Sequence, residues 1–144
     1  MKPPLEAAID YLRRYAVTRW ELARWLLRKG YERSQVRDAL QALAHLGYLR
    51  DAWVLQSRIE SAQRRLWSRR RTALSLRRRG VPARVVRKAL HRWYPPEREW
   101  EVFGRWLQRY GGRLGPEVIR RARQAGFARR WVLRWQAGET PIGP

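Results

Sequence analysis

The side chains that could do chemistry here are two histidines, twelve carboxylates and 33 lysines and arginines. Their spacing points away from catalysis. His45 and His91 do not stand at metal-ligand spacing from one another. His45 falls at the end of a predicted helix, where an imidazole caps free carbonyls. There is no cysteine, which removes disulfides, thiolate nucleophiles and Cys-type zinc sites. No glycine-rich loop has the spacing that cradles a nucleotide phosphate; Gly111-Gly112 reads as a plain linker between helices. Glu6, Asp10, Glu21, Glu32, Asp38, Asp51 and Glu60 are scattered along helices. Glu97, Glu99 and Glu101 cluster where a helix begins, and negative charge there complements the helix dipole. No catalytic residue, metal site or cofactor is predicted, and the chain does not read as an enzyme.

The basic residues carry the one strong signal. Between Ser61 and Pro96 the chain has Arg or Lys at Arg64, Arg65, Arg69, Arg70, Arg71, Arg77, Arg78, Arg79, Arg84, Arg87, Lys88 and Arg92, and no acid at all. The whole chain has a formal net charge of +21, and all its cations except Lys2, Lys29 and Lys88 are arginine. Codon bias explains arginine over lysine but not the missing acids. A folded surface with so much uncompensated charge calls for a polyanion, and nucleic acid is the first candidate. The first eleven of these residues form the predicted binding face. Arg69, Arg70 and Arg71 open a helix, where positive charge opposes the dipole. A local rule broken without local compensation marks a place to expect function.

Nine tryptophans add a second possibility, because aromatic rings in basic grooves stack on bases. Trp93 and Trp106 fall on predicted core stripes. Trp20, Trp67 and Trp100 are less clearly inward, and Trp131 and Trp135 share one face of the last helix, outside or beside its core stripe.

The elements that must position these residues are all helical. Leu5, Ala8, Ile9 and Leu12 mark a first apolar stripe, with Pro4 in its first turn. Thr18 and Glu21 form a capping box for a second helix, with Leu22, Ala23, Leu26 and Leu27 inward and Gly30 as its stop. A third runs from about Glu32 to His45 on Val36, Ala39, Leu40 and Leu43, closed by Gly47. Asp51 is the expected N-cap of a fourth, with Leu55, Ile59, Ala62 and Leu66 on one face. Ser68 caps a fifth that ends at Gly80. Pro82 opens a sixth with Val86, Ala89, Leu90 and Trp93 inward. Pro95-Pro96 starts a seventh on Phe103, Trp106, Leu107 and Tyr110. An eighth spans about Pro116 to Gln124 and a ninth Ala128 to Ala137, before a frayed tail. No uncharged apolar run approaches the roughly 20 residues of a membrane helix, and the N-terminus has no secretory apolar core. A soluble cytoplasmic protein is expected.

A repeat runs through this pattern. Gly30-Tyr31, Gly80-Val81 and Gly126-Phe127 each end one helix and begin the next. Five residues beyond each apolar residue stands Val36, Val86 or Val132. The fold class predicted is all-α: three tandem three-helix repeats in an elongated, curved array. The modules are 1–49, the strongly basic 50–94 and 95–137, with a flexible tail over 138–144.

These landmarks resemble the RecX family, regulators of the RecA recombinase, from about Leu5 to Gln136. The first module matches through Thr18, Glu21, Leu22, Leu26, Lys29, Gly30 and Tyr31. The segment LGYLRDAWVLQSRI is similar to the family's next landmark, with Gly47, Tyr48, Leu49 and Asp51 in place, Arg50 replacing the first of the usual paired acids and Trp53 where an aromatic is common. The second module matches through Leu76, Gly80, Val81, Val86, Ala89 and Leu90. The third is the least similar, keeping Gly126, Phe127 and Val132. The resemblance implies a protein that binds the groove of the RecA filament on single-stranded DNA, and a monomer is expected. It also implies inhibition of RecA ATPase, strand exchange and coprotease activity. The alternative from charge alone is a basic architectural DNA-binding protein, on single- or double-stranded DNA, with no recombinase partner.

Overall fold

The computed structural model describes residues 1–111 and 115–141. Gly112 of the expected linker, and the last three residues of the expected tail, lie outside the described residues. Nine α-helices occur among the described residues, and no strand. They are α1 (Pro4–Arg14), α2 (Arg19–Arg28), α3 (Arg33–His45), α4 (Asp51–Arg64), α5 (Arg69–Arg78), α6 (Ala83–Trp93), α7 (Pro96–Trp106), α8 (Val118–Gln124) and α9 (Arg129–Gln136). The all-α class holds.

The glycine stops act through backbone geometry. After α2, α5 and α8 the chain turns through Gly30, Gly80 and Gly126, with φ of 103°, 91° and 89°. At each, two backbone N–H groups return to the helix: Tyr31 to Leu26, Val81 to Leu76 and Phe127 to Ala122, each paired with a shorter bond from the glycine itself. This Schellman arrangement satisfies carbonyls a helix end leaves free. The chain after α4 makes the same two bonds around Leu66, at φ 63°.

Two apolar clusters fill the interior. One comprises Ala7, Ala8, Leu22, Leu26, Tyr31, Val36 and Leu43 and holds α1, α2 and α3 together. The other runs continuously from Leu55 on α4 to Val132 on α9, with Tyr94 and Phe103 fully enclosed. Its centre is aromatic: Trp100, Phe103, Trp106, Phe127 and Trp131 stack or tilt against one another at 5.2–6.1 Å between ring centroids. Burial of one such side chain stabilises by about 1.5–3 kcal/mol, so this nest anchors the last three helices. The accessible surface of 9707 Å² exceeds the roughly 7,800 Å² expected of a compact monomer this size.

Several local expectations need correction. Asp51 does not cap α4; Arg50 occupies that position, and the Asp51 carboxylate instead accepts from the backbone N–H and Nε of Arg19 at 2.8 and 2.5 Å. Pro82 is the N-cap of α6 rather than part of its first turn. Leu27 is exposed, because α2 buries only the narrow stripe through Leu22 and Leu26. The seventh helix widens into a π-turn at Leu107–Gly111. That extra residue per turn rotates Tyr110 off the core stripe and into solvent. The eighth helix begins at Val118, with a 3-10 turn at Gly115–Glu117 ahead of it. Trp100, expected less clearly inward, and Trp131, expected outside or beside the core stripe, are both buried.

Candidate nucleic-acid interface

The basic block sits on α5 and α6, and two carboxylates from outside it hold those helices in place. The first is Glu99 on α7, which is 3% exposed. Its Oε2 accepts the backbone N–H of Arg69 at 2.6 Å, and its Oε1 accepts Trp131 Nε1 at 2.6 Å and the N–H of Ala128 at 3.4 Å. Glu99 thus caps the start of α5 and approaches that of α9. The dipole explanation predicted for it covers only its place on α7. The apparent rule-breaking at Arg69 to Arg71 is compensated after all, by a carboxylate 30 residues further along the chain. Ser68 Oγ adds its own acceptor for Arg71 N–H at 3.1 Å and donates to Ala125 O at 2.8 Å. Arg69 Nε donates to Tyr94 O at 2.6 Å, so this arginine is part of the scaffold. Burial, and then the Glu99 charge, push the Tyr94 phenol far above its ordinary range; its hydroxyl donates to Trp67 O at 2.7 Å.

The second carboxylate is Glu21. It completes the capping box of α2 with Thr18 and also pairs with Arg58 of α4 and, at 3.2 Å, with Arg79 beyond α5. Burial alone would raise its pKa. The Arg58 hydrogen bond, the Thr18 N–H, the Arg58 charge and the Arg79 hydrogen bond outweigh that and hold it below the usual carboxylate range.

With the scaffold accounted for, the predicted residues separate. Arg69, Arg70, Arg87 and Lys88 line one open groove of about 980 Å³ between α5, α6 and the start of α9. His91, Arg129 and Glu99 line it too. Glu99 adds little free acceptor capacity, since its oxygens already receive three N–H groups. Arg71 stands over the Trp67 ring at 4.2 Å, and Arg65 lies 5.7 Å from the same ring. Arg64 lies apart, in a hollow shared with Glu60 and Glu101. Arg79 is committed to Glu21, and the Arg78 carbonyl accepts Arg24 Nη1 at 2.7 Å. Arg77 and Arg84 are exposed on α5 and α6.

Sequence reasoning missed Arg129 and His91 as groove residues. Arg129 belongs to another predicted module, and only the docking of α9 against Glu99 brings it here. Among the described residues no group of three His, Cys, Asp or Glu could hold a metal. Among those residues, too, no helix is long and apolar enough to cross a membrane. The groove can hold anions by charge and by arginine's fork of donors.

No family profile matches the chain. Two curated relatives do, each called Regulatory protein RecX. That of Caldanaerobacter subterraneus subsp. tengcongensis is 32% identical over 95 residues, which is 66% of this chain and 48% of the relative. That of Ectopseudomonas mendocina (strain ymp) is 31% identical over 125 residues, covering 84% of this chain and 80% of the relative. The chain belongs to the RecX family. A crystal structure of regulatory protein RecX shares the fold with a TM-score of 0.62 at 20% identity, over 94% of this chain and 62% of the solved one. This RecX-family chain thus spans about half the length of the first relative and most of the second.

Proposed function

We propose that this chain regulates a RecA-type recombinase by binding the RecA filament on single-stranded DNA, without being an enzyme itself. It acts as a cytoplasmic monomer built of three helical modules. The observation that carries the reading is the cationic groove of α5, α6 and α9 on a RecX-family scaffold. Arg70, Arg87, Lys88 and Arg129 meet DNA phosphates or the acidic surface of the filament, while the flanking modules grip neighbouring protomers. Arg77, Arg84 and the pair Arg65 and Arg71 around Trp67 extend the same charged face. Inhibition of ATP hydrolysis, strand exchange and coprotease activity follows from differential binding: the protein favours one filament state over the extending one.

The test is ATP hydrolysis by RecA on single-stranded DNA, titrated with this protein at fixed salt and with DNA in excess. Loss of hydrolysis at protein well below the number of DNA sites is expected. Reversing Arg70, Arg87, Lys88 and Arg129 to Glu weakens that effect and flattens its salt dependence. The slope of log affinity against log salt falls by about 0.7 for each single-strand phosphate that is no longer neutralised. Hydrolysis unchanged by a protein that still binds DNA tightly and salt-sensitively would instead identify an architectural DNA-binding protein.

A further inference from the structure

The exposed aromatic residues among those described are Tyr15, Tyr48, Trp53 and Tyr110. Three of these four line a single cleft, which shares no lining residue with the α5–α6 groove. It measures about 420 Å³ and is formed by the end of α1, the Ala16-Val17 link, the Gly47-Tyr48 turn and the first turn of α4. Trp53, Tyr15 and Tyr48 are 51%, 53% and 43% exposed. Large rings left in water forgo the burial that stabilises the other tryptophans. Three on one cleft mark a surface made to be covered.

The supports are firm. The Tyr48 N–H returns to Leu43 O at 2.9 Å in the turn that closes α3. The Tyr15 ring leans on Tyr11 at 4.8 Å, and Tyr11 is stacked on Trp25 at 4.2 Å. The Arg50 guanidinium stands 5.2 Å from the Trp53 ring centroid. Half-buried Leu12 and Val17 and buried Val54 complete the lining. The rim carries Arg13, Arg14 and Arg50, and no carboxylate lines the cleft. Asp51, next in sequence to Arg50, is turned onto Arg19.

Flat rings inside a cationic rim, in which exposed Arg13 also pairs with Asp10 at 3.7 Å while no acid lines the cleft itself, match a polyanion that offers flat faces of its own. A single-stranded nucleic acid does so, because its unpaired bases stack on aromatic side chains while its phosphates meet arginine. A duplex keeps its base faces in its own stack, and an acidic peptide supplies the charge without the faces. We propose that the cleft of Tyr15, Tyr48 and Trp53 stacks unpaired bases of a single strand, with Arg13, Arg14 and Arg50 on the adjoining phosphates. This rests on the nucleic-acid half of the function proposed above and is independent of the recombinase.

Three labelled probes test it by fluorescence anisotropy at one salt concentration: an oligothymidylate, an abasic strand of equal length, and a duplex. The parent protein should prefer the oligothymidylate to the abasic strand. Trp53→Ala and Tyr48→Ala should each lower oligothymidylate affinity about 5- to 50-fold, in the range of a lost base stack. Affinity for the abasic strand and the duplex should stay as it was, and Trp53→Phe should keep most of the preference. Tyr48→Ala, which removes only a surface ring, keeps the test decisive should Trp53→Ala disturb α4. Equal parent affinity for the two strands, equal losses on both, or no loss in either variant overturns the proposal. So does a loss of RecA inhibition with oligothymidylate binding intact, which would assign the cleft to a protein. Failure of the parent to inhibit RecA at all overturns the recombinase reading only.

Discussion

At the scale of single residues, the most consequential side chain is an acid in a basic protein. Glu99 receives N–H groups from Arg69, Ala128 and Trp131, the first two half-buried and the third buried, so its removal leaves three donors without their acceptor. Glu99→Ala should cost about 2–4 kcal/mol, since a buried donor without a partner loses its full desolvation penalty. Glu99→Gln should cost less, because one acceptor oxygen survives. Urea midpoints at constant slope measure both; an alanine variant as stable as the parent would remove Glu99 from its place as a hub. Nothing in the sequence distinguished Glu99 from Glu97 and Glu101, which share its helix and its composition. Burial is decided by which face of α7 meets α5 and α9, and that packing joins segments far apart along the chain. The caps Thr18 and Ser68, by contrast, were legible because a capping oxygen and its N–H partner are three residues apart.

At the scale of elements, the three glycine turns have the same shape but different neighbours. A Cβ at Gly30 would meet nothing within 4 Å. At Gly126 it would lie 2.6 Å from Ser68 Oγ, and at Gly80 2.8 Å from Arg24 Nε. Gly30→Ala should therefore cost about 1–2 kcal/mol, the left-handed penalty alone. Gly126→Ala should cost clearly more, because it also displaces the hydroxyl that caps α5. Thermal melting of the two variants side by side gives the difference, and equal shifts would show that the Ser68 contact is slack. The glycines at these helix ends were visible in the sequence because only glycine adopts this backbone without strain. Leu66 makes the same turn and gave no such sign: its apolar side chain read as part of the α4 stripe. The π-turn after α7 was equally hidden, since an extra residue in a helical turn leaves the apolar spacing nearly unchanged over so short a stretch.

At the scale of the whole molecule, the two core clusters meet across Glu21, Arg58, Arg79, Asp51 and Arg19. The Glu21 pKa is lower in the folded protein than its ordinary 4.5. Between those two values the unfolded chain binds the extra proton, so stability must fall as pH drops through that window and is fully present above it. Chemical denaturation across pH 3 to 6 should show this fall, and Glu21→Gln should flatten it while lowering stability near neutrality. A slope unchanged by the substitution would place the acid sensitivity elsewhere. The helical class, the helix boundaries to within a few residues and the recurring glycine turns were all readable along the chain. The groove was only half readable: four of its cations come from the run on α5 and α6, but Arg129 arrives by tertiary docking. The division of the interior into two clusters was not readable, because the second cluster runs from Leu55 across Pro95-Pro96 to Val132, where composition alone shows a break.

The glycine turns also give the molecule a direction. The turn at Gly80 sits against Arg24 of the preceding helices, and the turn at Gly126 against Ser68 and Arg70 of those before it, whereas Gly30 faces open space. Both turns lean backward on helices earlier in the chain, so the molecule has a head and a tail that cannot be exchanged. A strand of DNA, running 5′ to 3′, has a polarity too. Two polar objects lie alongside each other in two non-equivalent ways, so the DNA contact proposed above has two orientations of unequal energy.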